Sequence, residues 1–138
     1  MRKITKDEMN KIWRDCLVLW EAISIIPDTM FDEFQLHAFK KEMQRKLGQN
    51  VSIFGCPMCK AFIGDNCKNC PIGEHELEVE YTYEDCYRLC EINEASPYAL
   101  WKDEYPNHNQ ERAEAFYKYL IMLAKKDEYK PDCSFKFW

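Results

Sequence analysis

The sequence predicts an α+β protein, mainly α: a small helical bundle with an inserted cysteine-rich knuckle and a short β-hairpin. Three observations predict it. Apolar residues recur at three- and four-residue spacing in long segments near both ends. A short Gly- and Cys-rich stretch, residues 49–73, interrupts them. Residues 74–81 then alternate strictly between acidic and other side chains, the period of a strand. At 138 residues the chain suits one domain. Its parts are a helical pair over 1–48, the knuckle and acidic strand over 49–81, and C-terminal helices over 82–138.

The first helix opens on Thr5-x-x-Glu8, a capping box that satisfies orphaned backbone donors. Met9, Ile12, Trp13, Cys16, Leu17, Trp20 and Ile23 form its apolar stripe, and Pro27 ends it. A second helix starts after Asp28 or Thr29 and runs to Leu47, with Gly48 as its left-handed cap. Its apolar positions, Phe31, Phe34, Leu36, Phe39, Met43 and Leu47, fall on more than one face.

In the alternating segment His75, Leu77, Val79 and Tyr81 face inward, and Glu74, Glu76, Glu78 and Glu80 face outward. Its hairpin partner is the apolar run around Val51–Phe54 or Ala61–Ile63. Thr82-x-x-Asp85 opens a short helix to about Glu91, and Ser96-Pro97 opens another to about Tyr105, where Pro106 breaks it. The last long helix spans Asn109 to Lys126, with Ala113, Phe116, Tyr117, Leu120, Ile121 and Ala124 on one stripe. The segment from Pro131 to Trp138 is irregular, but Phe135, Phe137 and Trp138 predict that it docks back on the bundle.

Hydrophobic residues make up 46% and aromatics 14%, a composition that folds. No apolar run is long enough for a bilayer, and the first residues are charged rather than signal-like. Both features predict a cytoplasmic protein with no membrane partner. The net charge of −5 is uneven: residues 71–110 carry −8, with only Arg88 and Lys102 basic, and the remainder carries +3. That balance disfavours nucleic acid as the main partner, because phosphate-binding proteins present basic surfaces.

In a reducing compartment eight cysteines point to metal rather than to disulfides. Cys56-Pro-Met-Cys59 and Cys67-Lys-Asn-Cys70 are two Cys-x-x-Cys turns. Each places two thiolates on one side of a tight knuckle, and together they complete the tetrahedral shell of a structural Zn²⁺. Gly55, Gly64 and Gly73 permit the turns. An iron–sulfur cluster is the minor alternative, suggested by the proline after Cys70, although the fuller ferredoxin spacing is absent. Cys86 and Cys90 share a helical face and, with His75, are candidate auxiliary ligands; a buried pair in the core is the simpler reading. Cys16 reads as core, and Cys133 as a surface thiol.

The ordered set Cys56, Cys59, Cys67, Cys70-Pro71-Ile72, Cys90, Ser96-Pro97-Tyr98 and the amphipathic helix from Glu111 to Leu123 resembles small uncharacterised zinc-binding proteins of bacteriophages and prophages. The resemblance covers roughly residues 50–125 and departs in adding Cys86 and the acidic strand. It implies a phage origin and action in the host bacterial cytoplasm, and it implies no activity.

No phosphate-binding loop, nucleophile elbow or His-Glu-x-x-His pair is present, and His37, His75 and His108 are far apart in sequence. The expectation is therefore a non-enzymatic accessory protein that binds and modulates a host defence or regulatory protein. Glu74, Glu76, Glu78, Glu80 and Glu84 would form a surface for a basic partner. Tyr81, Tyr83, Tyr98, Trp101 and Tyr105 would be exposed beside it. Two alternatives remain open. One is a nucleic-acid or nucleotide binder using Lys40, Lys41, Arg45, Lys46, Lys60 and Lys68. The other is a metal-dependent nuclease or hydrolase using carboxylates such as Glu76 and Asp85.

Overall fold

Helix α1 (Lys6–Ser24) begins where its cap predicts: the Thr5 Oγ1 accepts from the Glu8 N–H at 3.1 Å and donates to Glu8 Oε1 at 3.2 Å. The computed structural model describes residues 4–26, 33–46, 58, 61, 70–72, 100–101, 109–132 and 134–138. Among these the architecture is helical, with no strand. The expected hairpin, the acidic strand and the helix over 82–91 lie outside them.

α1 ends at Ser24, three residues ahead of Pro27. A proline already disfavours helical backbone in the residue before it, and the Ser24 hydroxyl donates to the Glu21 carbonyl at 2.7 Å. Helix α2 spans Glu33–Lys46 within the expected helix; the expected start after Asp28 or Thr29 and the expected end at Leu47 with its Gly48 cap lie outside the described residues. Helix α3 spans Gln110–Lys126, with Asn109 as N-cap accepting from the Arg112 N–H at 3.0 Å.

α1 and α3 form an antiparallel pair, fastened along its length by polar contacts between residues remote in sequence. At one end the Trp13 indole N–H donates to Asp127 Oδ2 at 2.7 Å, and Lys6 Nζ to the Asp127 carbonyl at 3.3 Å. Midway the Tyr117 hydroxyl donates to Glu21 Oε2 at 2.6 Å. At the other end Gln110 Nε2 donates to the Ser24 carbonyl at 3.3 Å. Between these fasteners the predicted stripes meet: Trp13, Cys16, Leu17, Trp20 and Ile23 of α1 with Ala113, Phe116, Tyr117, Leu120, Ile121 and Ala124 of α3, all buried. The Trp20 and Phe116 rings meet edge to face, 4.6 Å between centroids.

α1 is buried over a wider arc than its stripe predicts, since Leu19 and Asp15 are also inaccessible. α2 touches α1, and Phe39 and Met43 pack half-buried against the core. α1 is thus the central helix. Asp15 accepts from Lys11 Nζ, one turn earlier, at 2.7 Å.

The end of α3 is a Schellman motif. The Tyr129 N–H reaches the Ala124 carbonyl at 2.9 Å, the Glu128 N–H reaches the Lys125 carbonyl at 3.1 Å, and Glu128 takes the left-handed φ of 59°. This reversal sends the following segment back along the pair as expected. Tyr129 and Phe135 are buried, and Phe137 packs on Tyr117 with centroids 5.7 Å apart. The Lys136 N–H donates to Glu21 Oε2 at 3.2 Å, so a single carboxylate oxygen holds both α3 and the returning chain.

Candidate metal centre

Of the four cysteines expected to bind zinc, the structure describes Cys70; Cys56, Cys59 and Cys67 lie outside the described residues. Cys70 is 6% exposed and belongs to the same apolar cluster as Trp13, Trp20 and Phe116. Two apolar residues of the cysteine-rich segment join it there: Met58, completely buried, and Ile72. Ala61 packs on the cluster from its edge. Met58, Ala61, Pro71 and Ile72 all have helical backbone.

These positions put one buried apolar residue within or next to each Cys-x-x-Cys pair of the sequence. Met58 is the variable residue directly before Cys59, and Ile72 follows Cys70 by two. An unbranched thioether fills irregular core space readily, so Met is well suited to tie a tight turn to a helix pair. Reading the sequence for ligands passes over this role, because a spacer between cysteines appears chemically silent. Its only sequence signal is an apolar residue in a segment otherwise rich in small and polar ones.

A thiol at the place of Cys70 has two physical readings. As a small apolar residue it contributes packing. As a thiolate it needs compensating charge, because burying an isolated anion is costly. A tetrahedral Zn²⁺ with three further thiolates would supply that compensation and would leave no coordination position open. Among the described residues no three His, Cys, Asp or Glu side chains gather as a metal site requires. The auxiliary candidates Cys86, Cys90 and His75 lie outside the described residues, as does Cys133, whereas Cys16 is completely buried, as expected of a core residue. The acidic row of Glu74, Glu76, Glu78, Glu80 and Glu84 also lies outside them.

One expectation is overturned. Trp101 is not an exposed aromatic: it is 2% exposed and meets Trp20 edge to face at 4.9 Å. The physical reason is local. Arg112 Nη1 donates to the Leu100 carbonyl at 2.7 Å, which ties residues 100–101 to the first turn of α3 and brings the indole onto the α1–α3 seam. Tyr81, Tyr83, Tyr98 and Tyr105 lie outside the described residues.

Two carboxylates that sequence reasoning passed over organise the described structure. Glu21 is the acceptor shared by Tyr117 and Lys136, and Asp127 receives Trp13. Burial, reinforced by the Glu21 carboxylate, holds the Tyr117 hydroxyl well above the usual phenol range. No helix among the described residues is long and apolar enough to cross a membrane. No family model, curated protein or solved structure matches this chain.

Proposed function

We propose that this protein is a zinc-stabilised accessory protein that binds and modulates a basic partner protein, with the metal serving the fold rather than a reaction. The observation that carries the reading is the burial of Cys70, with Met58 and Ile72, in the core built by α1 and α3. A ligand buried among apolar side chains favours a closed structural site, since a reacting metal keeps a position open to substrate. The acidic row from Glu74 to Glu84 supplies the partner surface, and its charge would speed capture of a basic protein. The likeness of the knuckle to those of phage and prophage proteins supports a host defence or regulatory protein as that partner.

Elemental analysis of the purified protein tests the metal. One zinc per chain is expected, with chelation lowering the melting temperature and Cys59→Ser or Cys67→Ser doing the same. Absence of zinc, or stoichiometric iron in its place, would overturn the reading. For the partner surface, Glu76→Lys with Glu78→Lys should slow association with a captured basic protein and flatten its salt dependence. Unchanged kinetics would remove the acidic row from the proposal.

A further inference from the structure

We infer that the exposed face formed by the second half of α3 and the segment after it binds single-stranded nucleic acid. Lys118, Met122 and Lys125 recur at four- and three-residue spacing and so share one face of α3. Phe137 and Trp138 lie against that face. Lys118 Nζ sits 4.6 Å from the Phe137 ring centroid and Lys136 Nζ 5.1 Å from the same centroid, while Lys125 Nζ sits 5.2 Å from that of Trp138. The two rings thus hold three ammonium groups between them.

The charge of this strip is cancelled only in part. Glu114 lies 3.5 Å from Lys118 Nζ, but among the described residues no carboxylate pairs with Lys125 or Lys136. The strip also offers apolar surface at its centre: Met122 is 46% exposed and Trp138 is 37% exposed. An acidic polypeptide would use the ammonium groups and leave the indole and thioether idle. A single strand uses both, with phosphates on the lysines and an unpaired base against Trp138. Lys118 and Lys125 are two turns apart, about 10 Å along the axis, a span that a few nucleotides cover. In the α2 patch suggested by the sequence, Arg45 is paired with Glu42 at 2.9 Å.

Fluorescence anisotropy of the full chain with a labelled 20-nucleotide oligo-dT, from 50 to 200 mM NaCl, tests the inference. Binding is expected, with log Kd rising by about 2 per log unit of salt for three phosphate contacts. K118A/K125A/K136A should weaken it at least tenfold and abolish most of the salt slope. Should that variant fail to fold by circular dichroism, K118Q/K125Q/K136Q keeps the aliphatic stems and should show the same loss, while K118R/K125R/K136R should retain binding. W138A should weaken binding about fivefold or more with the salt slope unchanged. No binding at 50 mM NaCl, full binding by the Ala or Gln variant, or displacement by polyglutamate as readily as by unlabelled oligo-dT would overturn it. Loss on K41A/R45A/K46A with the α3 strip intact would do the same.

Discussion

Replacing Tyr117 with Phe removes one oxygen and leaves the ring that packs against Phe137. That oxygen donates a 2.6 Å hydrogen bond to Glu21 Oε2, which also accepts the Lys136 N–H at 3.2 Å. A hydrogen bond to a charged acceptor contributes about 1.5–3 kcal/mol when fully buried. Glu21 is only partly buried and keeps its second donor, so a loss of about 1–2 kcal/mol at pH 7 is expected. The pH dependence supplies a second readout. The folded hydroxyl titrates above its unfolded value of about 10, so the unfolded chain gives up this proton first as pH rises. The stability from Tyr117 is therefore whole below pH 10 and drains away above it, by about 1.4 kcal/mol at pH 11. Urea unfolding of both proteins at pH 7 and pH 11 checks this by difference, since the other tyrosines cancel. The gap should be wide at pH 7 and nearly closed at pH 11. A gap below about 0.3 kcal/mol at pH 7, or one that does not shrink, would refute the claim that Tyr117 and Glu21 fasten the helix pair.

Glu128→Gly relieves a side chain held at positive φ in the Schellman motif and should stabilise the protein by about 1 kcal/mol, raising the melting temperature by a few degrees in calorimetry. Met58→Ala should cost about 2–5 kcal/mol in denaturant titration and should hasten release of any bound zinc to a chelator, because the residue is buried beside the cysteines. Trp101→Ala should cost about 3–5 kcal/mol, far more than the near-neutral change of an exposed aromatic, and should shift the emission of Trp20 beside it.

Elements that write themselves locally were legible. Thr5 and Asn109 are N-caps whose function needs only the next three residues, and the stripes on α1 and α3 follow from spacing alone. The docking of Phe135 and Phe137 was legible because three aromatics in a short irregular segment need cover. Whatever joins distant residues was not. Glu21 and Tyr117 are 96 positions apart, and nothing in either helix marks the pair. Trp101 sits in a segment too short to show a period. The Schellman turn uses Glu128, so the glycine that usually signals such a reversal is missing. Of the proposed metal site, the spacing of the cysteines suggests the ligands, and the structure adds where one of these cysteines, Cys70, is seated.

That seat bears on why a helix pair would need a metal at all. α1 and α3 bury their stripes against each other and are fastened at both ends and in the middle, a self-consistent unit. Among the described residues, the stretch from Cys56 to Ile72 meets this unit through Met58, Cys70 and Ile72, with Ala61 at its edge. Burying an apolar side chain contributes about 1.5–3 kcal/mol, while fixing a backbone costs about 1–2 kcal/mol for every residue ordered. The burial of these anchors is of the same order as the cost of ordering only a few residues. Four thiolates on one ion would close it into a single loop and offset the difference, and the same ion would then hold Met58 and Ile72 in the core. On this reading zinc and the α1–α3 core stabilise each other, so Met58→Ala should loosen the metal and chelation should loosen the core. If either change leaves the other untouched, the cysteine-rich segment is packed for reasons that do not involve a metal.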